Sequence, residues 1–229
     1  MKKKPSSRTT KEELKNARKH KPSSQRWLRR QLSDPYVQEA QRKGYRSRAA
    51  FKLLELNEKY KFLSPGKIVV DLGAAPGGWT QVTIEKVQAP KNGKVFALDL
   101  LEMEDLPGAV LMQGDFYEDD TYNELILALK GKRADVVLSD MAPSTMGHRQ
   151  TDHIRIMGLA EAAYDFAHEI LGPEGVFVSK VFQGGAEQTL LTRLKKDFKK
   201  VAHAKPPSSR KESSEMYVVA MGFRMAKSE

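Results

Sequence analysis

With 229 residues, 40% of them hydrophobic and 30% charged, the chain has enough length for one well-buried domain plus an extension. No apolar run approaches ~18 residues, which excludes a transmembrane helix; the absence of cysteine excludes disulfides, thiolate metal sites and a cysteine nucleophile. The net charge of +10 is uneven: residues 1–52 hold 17 Lys/Arg against 4 Asp/Glu, whereas the remaining 177 residues hold 22 against 25.

A basic arm of this kind seeks phosphate, on RNA, DNA or an anionic membrane. Residues 1–30 offer little apolar face for insertion, which sets the membrane aside. The amino terminus lacks the apolar core of a secretory signal, so a reducing cytoplasm is the expected location. Residues 1–25, rich in Lys, Ser and Thr, read as a basic flexible extension, and residues 26–229 as one domain.

Within that domain, residues 26–60 read as a nucleic-acid-facing segment. Arg26, Arg29, Arg30, Arg42, Lys43, Arg46 and Arg48 alternate with Trp27, Tyr36 and Tyr45. Cations for phosphates beside aromatics for stacking suit an RNA surface. The spacing predicts a helix over 47–60 with Ser47 as its cap, and Ser64-Pro65-Gly66 breaks the chain after it.

Strand and helix then alternate. Strands are expected near 68–72, 95–99, 109–114, 134–140, 175–182, 200–204 and 216–223, and helices near 78–89, 119–130, 153–171 and 186–197. This order predicts an α/β fold of the Rossmann-like type: a mostly parallel sheet flanked by helices. The last two strands are joined by a loop holding Pro206 and Pro207, so they are expected to pair antiparallel at the edge.

The chain is organised around residues 67–81, KIVVDLGAAPGGWTQ. Ile68, Val69 and Val70 read as a buried parallel strand with Asp71 near its carboxyl end, where open α/β sheets bind ligands. Gly73, Gly77 and Gly78 allow a ligand close to the main chain. The run does not match the G-x-G-x-x-G dinucleotide fingerprint, and its proline and preceding acid point away from a pyrophosphate. Asp99 ends the second strand, where an acid can accept from a ribose diol, and Asp115 follows the third, where a carboxylate can receive an adenine amino group. Together these three strand ends fit an adenosine-containing cofactor without a phosphate, and S-adenosylmethionine is the candidate.

Four further residues stand out. Asp140 ends the strand VVLSD; Lys180 interrupts the apolar strand VFVSKVF; Glu215 precedes the strand MYVV; Lys52 lies in an apolar stretch of the first helix. A lysine in a buried strand is costly unless it is paired or functional. Two lysines and two acids meeting in one cleft would satisfy one another and could tune an amine to accept a proton. His148 and His153 lie five apart in a polar stretch and read as surface residues; no metal-ligand cluster is evident. A second basic stretch, Arg193 to Lys211, is a candidate extension of the nucleic-acid surface.

These residues fall in motifs that together resemble the FtsJ/RrmJ family of S-adenosylmethionine-dependent ribose 2′-O-methyltransferases. The motifs are RSRAAFKL at 46–53, VVDLGAAPGGWTQ at 69–81, GDF at 114–116, SDMAPS at 139–144, VSKVFQG at 178–184 and SSRKESSEMYVVA at 208–220. The segment YVQEAQRKGYRSRA at 36–49 is similar to the family's substrate-side segment. Departures lie mainly outside the motifs: a longer basic extension, and Ala50 where an aromatic is common. The resemblance implies a catalytic tetrad at Lys52, Asp140, Lys180 and Glu215; within it Lys180 is the expected base. It also implies cofactor contacts at Gly77, Trp79, Asp99, Asp115 and Asp140, beside the Gly73 turn. Its implied substrate is a uridine in the A-loop of 23S ribosomal RNA within an assembled large ribosomal subunit. A monomer is the default expectation, and methyl transfer needs no metal because the leaving group becomes neutral. Methylation of tRNA or an mRNA cap, and a non-catalytic role in ribosome assembly, remain the alternatives.

Overall fold

The computed structural model describes residues 33–143, 149–182, 188–210 and 212–225. The amino-terminal extension, together with Arg26, Trp27, Arg29 and Arg30, lies outside them, as do His148 and Lys211.

Two helices come first, α1 (Pro35–Arg42) and α2 (Ala49–Tyr60). The carboxylate of Asp34 accepts the Tyr36 N–H at 3.0 Å, and Pro35 occupies the first turn, so α1 begins with both a cap and a preset φ. The alternating part runs β1 (Ile68–Leu72), α3 (Gly78–Val87), β2 (Lys94–Asp99), β3 (Ala109–Gln113), α4 (Asp119–Leu129), β4 (Ala134–Ser139), α5 (Arg149–Ile170), β5 (Leu171–Phe182), α6 (Gln188–Asp197), β6 (Phe198–Ala204) and β7 (Glu215–Phe223).

The seven strands form one sheet in the order β3-β2-β1-β4-β5-β7-β6. Every pairing is parallel except those of β7, which runs antiparallel to both β5 and β6. The expected α/β architecture is therefore present, with one antiparallel strand. The last two strands form the expected antiparallel pair at one edge of the sheet, with β6 outermost and β7 between it and β5. Side-chain chemistry explains the order. Tyr217, Val218, Val219 and Ala220 of β7 are all fully buried, whereas Lys199, Lys200 and His203 of β6 face solvent. Exposed cations protect an edge strand from unwanted pairing.

Both sheet faces are covered, which is why β1 reads as a nearly continuous apolar run. On one face Val70, Leu72, Phe96, Leu98, Val137 and Phe177 pack with Leu125 and Leu129 of α4, Tyr164 and Phe166 of α5, and Leu190 and Leu194 of α6. On the other, Val69, Val95, Val136, Leu138 and Val178 pack with Ala50, Leu53 and Leu56 of α2 and with Val82 and Val87 of α3. Each large apolar side chain buried this way contributes roughly 1.5–3 kcal/mol.

Two local expectations change. Ser47 does not cap α2: the helix starts at Ala49 without a side-chain cap, and the Ser47 hydroxyl is buried with no hydrogen-bond partner. It is pressed against Gly78, where a Cβ would come within 2.2 Å of its oxygen. β5 starts at Leu171 instead of 175, because Leu171 already pairs with Ala134 ahead of an irregularity in the register.

The strand order reverses between β1 and β4: the chain builds β2 and β3 on one side and returns to place β4 on the other. A crevice at the carboxyl ends of strands flanking such a reversal is where open α/β sheets hold ligands.

Candidate active site

A cavity of ≈ 610 Å³ opens at that reversal. Its wall is made by the residues that follow four neighbouring strands: Gly73 and Ala75 after β1, Asp99 to Leu101 at β2, Gly114 to Tyr117 after β3, and Asp140 to Pro143 after β4. Arg155, Gly158 and Leu159 of α5 close one side. The volume falls within the range of small-molecule sites.

The backbone of this wall is tightly held. The N–H groups of Gly73 and Ala74 both donate to the Leu98 carbonyl, at 2.9 and 3.2 Å, and the Gly114 N–H donates to the Asp99 carbonyl at 3.0 Å. Gly73 must be a glycine on two counts: its φ is +73°, and a Cβ would stand 2.6 Å from Met141 Cγ. The carboxylate of Asp99 accepts one backbone N–H on each oxygen, from Ala75 at 2.9 Å and Leu101 at 2.8 Å. Each oxygen keeps a lone pair for a ligand. Asp115 accepts the Tyr117 N–H at 3.0 Å through Oδ1. Two fixed carboxylate acceptors between apolar walls of Leu100, Leu101, Phe116 and Met141 suit an adenosine, whose hydroxyls and amino group donate. They are a poor cradle for a phosphate.

Asp140 belongs to the cavity and also to a second constellation beside it. Lys180 Nζ stands 2.9 Å from Asp140 Oδ1 and donates to the Asp140 carbonyl at 2.8 Å. Tyr217 Oη donates to the same Oδ1 at 2.6 Å. Lys52 Nζ donates to Tyr217 Oη at 3.1 Å and to Glu215 Oε2 at 3.4 Å. The result is one chain of contacts, Glu215–Lys52–Tyr217–Asp140–Lys180, with two cations and two anions. Four residues far apart in sequence meet because the fold brings the end of β4, the end of β5, the start of β7 and the body of α2 to one place. The antiparallel register sets Lys180 opposite Tyr217 and Phe182 opposite Glu215.

Burial makes these pairings matter. The Lys180 side chain is 6% exposed and that of Asp140 15%. Burial pushes the Asp140 carboxyl up, but the ammonium groups of Lys180 and Lys52, with the hydrogen bonds from Tyr217 and Lys180, outweigh it and hold its pKa below the ordinary range. Burial, and then the Asp140 charge, push the Tyr217 phenol well above its usual value, so it stays a neutral donor. Asp140 takes two of the three directions around Lys180 Nζ and leaves one for an incoming hydroxyl.

The sequence-derived candidates thus fall into three groups. Lys52, Asp140, Lys180 and Glu215 come together. Gly73, Asp99, Asp115 and Asp140 line the cavity. Gly77 and Trp79 do not. Trp79 is 2% exposed, donates its indole N–H to the Ala49 carbonyl at 2.9 Å and packs 5.5 Å from the Tyr217 ring, behind the tetrad. Gly77 caps α3 with φ +104°, under the Arg46 side chain.

Two residue classes read differently from expectation. His153 is half-buried, tilted 6.1 Å from Phe182, so it is not a surface residue. Much of the described basic and aromatic set faces the protein itself. Tyr36 and Tyr45 pack on Phe51 at 5.4 and 5.8 Å. Arg48 pairs with buried Asp34 and donates to the Ser208 carbonyl. In the second basic stretch, Arg193 pairs with Asp165 and lies 4.5 Å over the Tyr164 ring, while Lys199, although it faces solvent, pairs with Glu174. Sequence reasoning missed Tyr217. Its one local signal is its place two residues after Glu215, on the same face of a strand. Among the described residues no group of acids and histidines is spaced to hold a metal, and no helix is long and apolar enough to cross a membrane.

Comparison with known proteins identifies the family. The model of the FtsJ-like methyltransferase family matches residues 45–223. A ribosomal RNA large subunit methyltransferase E of Paramagnetospirillum magneticum is 61% identical over 214 residues, covering 92% of this chain and 87% of that protein. Its counterpart in Parvibaculum lavamentivorans is 53% identical over 225 residues, covering 95% and 88%. The crystal structure of a Plasmodium falciparum ribosomal RNA methyltransferase superposes with a TM-score of 0.70 at 32% identity, covering 78% of this chain and 98% of that one. A matched family model spanning the cavity and all four tetrad residues, and relatives of more than half identity along nearly the whole length, lead to one conclusion: the chain belongs to the FtsJ-like methyltransferase family.

Proposed function

We propose that this chain transfers a methyl group from S-adenosylmethionine to the ribose 2′-hydroxyl of a uridine in the A-loop of 23S ribosomal RNA, presented by the assembled large subunit. The observation that carries the reading is the double membership of Asp140, which lines the adenosine-sized cavity and anchors Lys180. The names of the relatives support the RNA as acceptor.

Gly73, Asp99 and Asp115 would hold the cofactor, which supplies a methyl group on a sulfonium centre already activated for displacement. The work of this chain is to place the hydroxyl and take its proton. As the amine, Lys180 Nζ gives its two N–H groups to Asp140 and turns its lone pair to the hydroxyl, whose proton it accepts as the oxygen attacks the methyl group and S-adenosylhomocysteine leaves; general-base help of this kind is worth about 10²–10⁴-fold. The ammonium so formed would be held by Asp140, whose Oδ1 lies 2.9 Å from Nζ. Tyr217, Lys52 and Glu215 fix Asp140 and the ribose side of the cleft, and alignment supplies the rest through proximity.

The test is nucleoside mass spectrometry of RNA incubated with the protein and S-adenosylmethionine. Unmethylated large subunits are expected to gain 2′-O-methyluridine at one position. Methylation of bulk tRNA instead would keep the chemistry and move the target. No product on any RNA, with the cofactor bound, would overturn the enzymatic reading.

A further inference from the structure

Arg46 lies in the link between α1 and α2, within the segment whose cations suggested a phosphate surface. Its guanidinium is committed elsewhere. It donates to the backbone carbonyls of Glu104 at 2.9 Å, Asp105 at 2.8 Å and Pro76 at 3.4 Å. Gly77 makes room for it: a Cβ there would stand 3.1 Å from Arg46 Nη1 and 3.2 Å from its Cδ. The main chain of the link is fastened as well. The Arg46 N–H donates to Gln81 Oε1 at 2.7 Å, and Gln81 Nε2 donates back to the Gly44 carbonyl at 3.0 Å. One side chain therefore ties together the link, the glycine turn and the loop that follows β2.

That loop matters to the cavity. Leu100 and Leu101 form part of the cavity wall, yet they are 62% and 67% exposed. Residues 102–106 have no helix or strand to hold them. A loop without a backbone ladder opens at low free-energy cost unless side chains pin it. Arg46 supplies two charge-assisted bonds to the middle of this loop, and such bonds are the stronger kind.

We propose that Arg46 is a positioning residue for the cofactor cavity: it clamps the 100–107 loop against the glycine turn and so sets the wall formed by Leu100 and Leu101. The inference rests on the reading that this cavity takes S-adenosylmethionine. It also removes Arg46 from the set of phosphate contacts.

The experiment uses the full chain with S-adenosylhomocysteine as the calorimetric probe and compares wild type, Arg46→Ala, Arg46→Lys and Arg42→Ala. Arg42 is an exposed arginine of the same segment paired with Glu39, and it controls for loss of charge. Loss of both bonds in Arg46→Ala is expected to raise the dissociation constant about tenfold or more. Amide exchange should quicken in residues 100–108 and not in β1 or β4. The KM for S-adenosylmethionine should rise by more than kcat falls. Arg46→Lys, which can reach one carbonyl at a time, should fall between, and Arg42→Ala should bind the probe within twofold of wild type. An Arg46→Ala protein that binds the probe within twofold of wild type would overturn the clamp, as would exchange that quickens uniformly. Wild-type protein that binds no probe would instead remove the cofactor reading, and with it the role given to Arg46.

Discussion

Lys180 and Tyr217 are register partners across β5 and β7, and both reach the same oxygen of Asp140, at 2.9 and 2.6 Å. The phenol also accepts from Lys52 at 3.1 Å, so it relays one half of the tetrad to the other. Without Tyr217 the described contacts would leave two separate pairs, Lys52–Glu215 and Asp140–Lys180.

Tyr217→Phe removes that relay while keeping the ring on Trp79. Lys52 and Asp140 each lose a buried partner, which costs about 1–3 kcal/mol. The single-turnover rate of methyl transfer is expected to fall about 10–100-fold, with affinity for S-adenosylhomocysteine nearly unchanged. A rate equal to wild type would show that the relay is dispensable.

Asp71 predicts a pH dependence of stability. Its carboxyl is wholly buried; Thr80 Oγ1 donates to Oδ2 at 2.7 Å, and Oδ1 has no partner. Burial raises its pKa to about 7, the Thr80 bond opposes, and the charges of Asp140 and Asp99 add to the rise. The folded protein thus holds a proton that the unfolded chain releases near its ordinary value of 3.8. The Asp71 contribution is complete below about pH 4 and is lost as pH climbs to 7, a change on the order of 4 kcal/mol. Asp71→Asn fixes the neutral form. Its melting curve should decline less than that of wild type between pH 4 and 7, whereas parallel curves would contradict the buried neutral acid.

Asp99 should govern cofactor affinity without touching the proton transfer. Replacement by Asn keeps an acceptor for one backbone N–H but removes the charge. Hydrogen bonds to charged groups contribute about 1.5–3 kcal/mol, so titration calorimetry should show S-adenosylhomocysteine binding weakened roughly 10–100-fold. Unchanged affinity would remove Asp99 from the cofactor site.

Arg48 tests the second role of the basic segment. It pairs with buried Asp34 at the start of α1, and Arg210 approaches the same carboxylate at 3.5 Å. Arg48→Ala would strand part of that buried charge, a loss of about 3–5 kcal/mol when one partner of such a pair is removed. Denaturant titration should show it, and the double variant Asp34→Asn/Arg48→Ala should recover part of the loss. A single variant as stable as wild type would return Arg48 to the free cations.

Much of this was legible in the chain because its signals are local. β1 and β5 announce themselves as apolar runs, and Lys180 stands out as the one cation inside such a run. Asp99 and Asp115 sit at strand ends that topology then brings to one cavity. What stayed hidden depends on distant neighbours. Tyr217 reads as an ordinary core aromatic until Lys52 and Asp140 stand on either side of it. Arg46 looks like any surface cation until the carbonyls of residues 104 and 105 arrive from 58 and 59 positions away. Trp79 sits next to the glycine turn in sequence, yet its helix turns it inward to Ala49 and Tyr217.

The most direct test of the central claim, that Lys180 held by Asp140 takes the proton from a ribose hydroxyl, is single-turnover transfer of labelled methyl from S-adenosylmethionine to unmethylated large subunits. Wild type and Lys180→Ala would be compared, with S-adenosylhomocysteine affinity measured on both. The account predicts label in large-subunit RNA from wild type, a loss of at least 10²-fold in the variant, and affinities within a few-fold. Transfer that survives in Lys180→Ala, or affinity lost in parallel with rate, would contradict it.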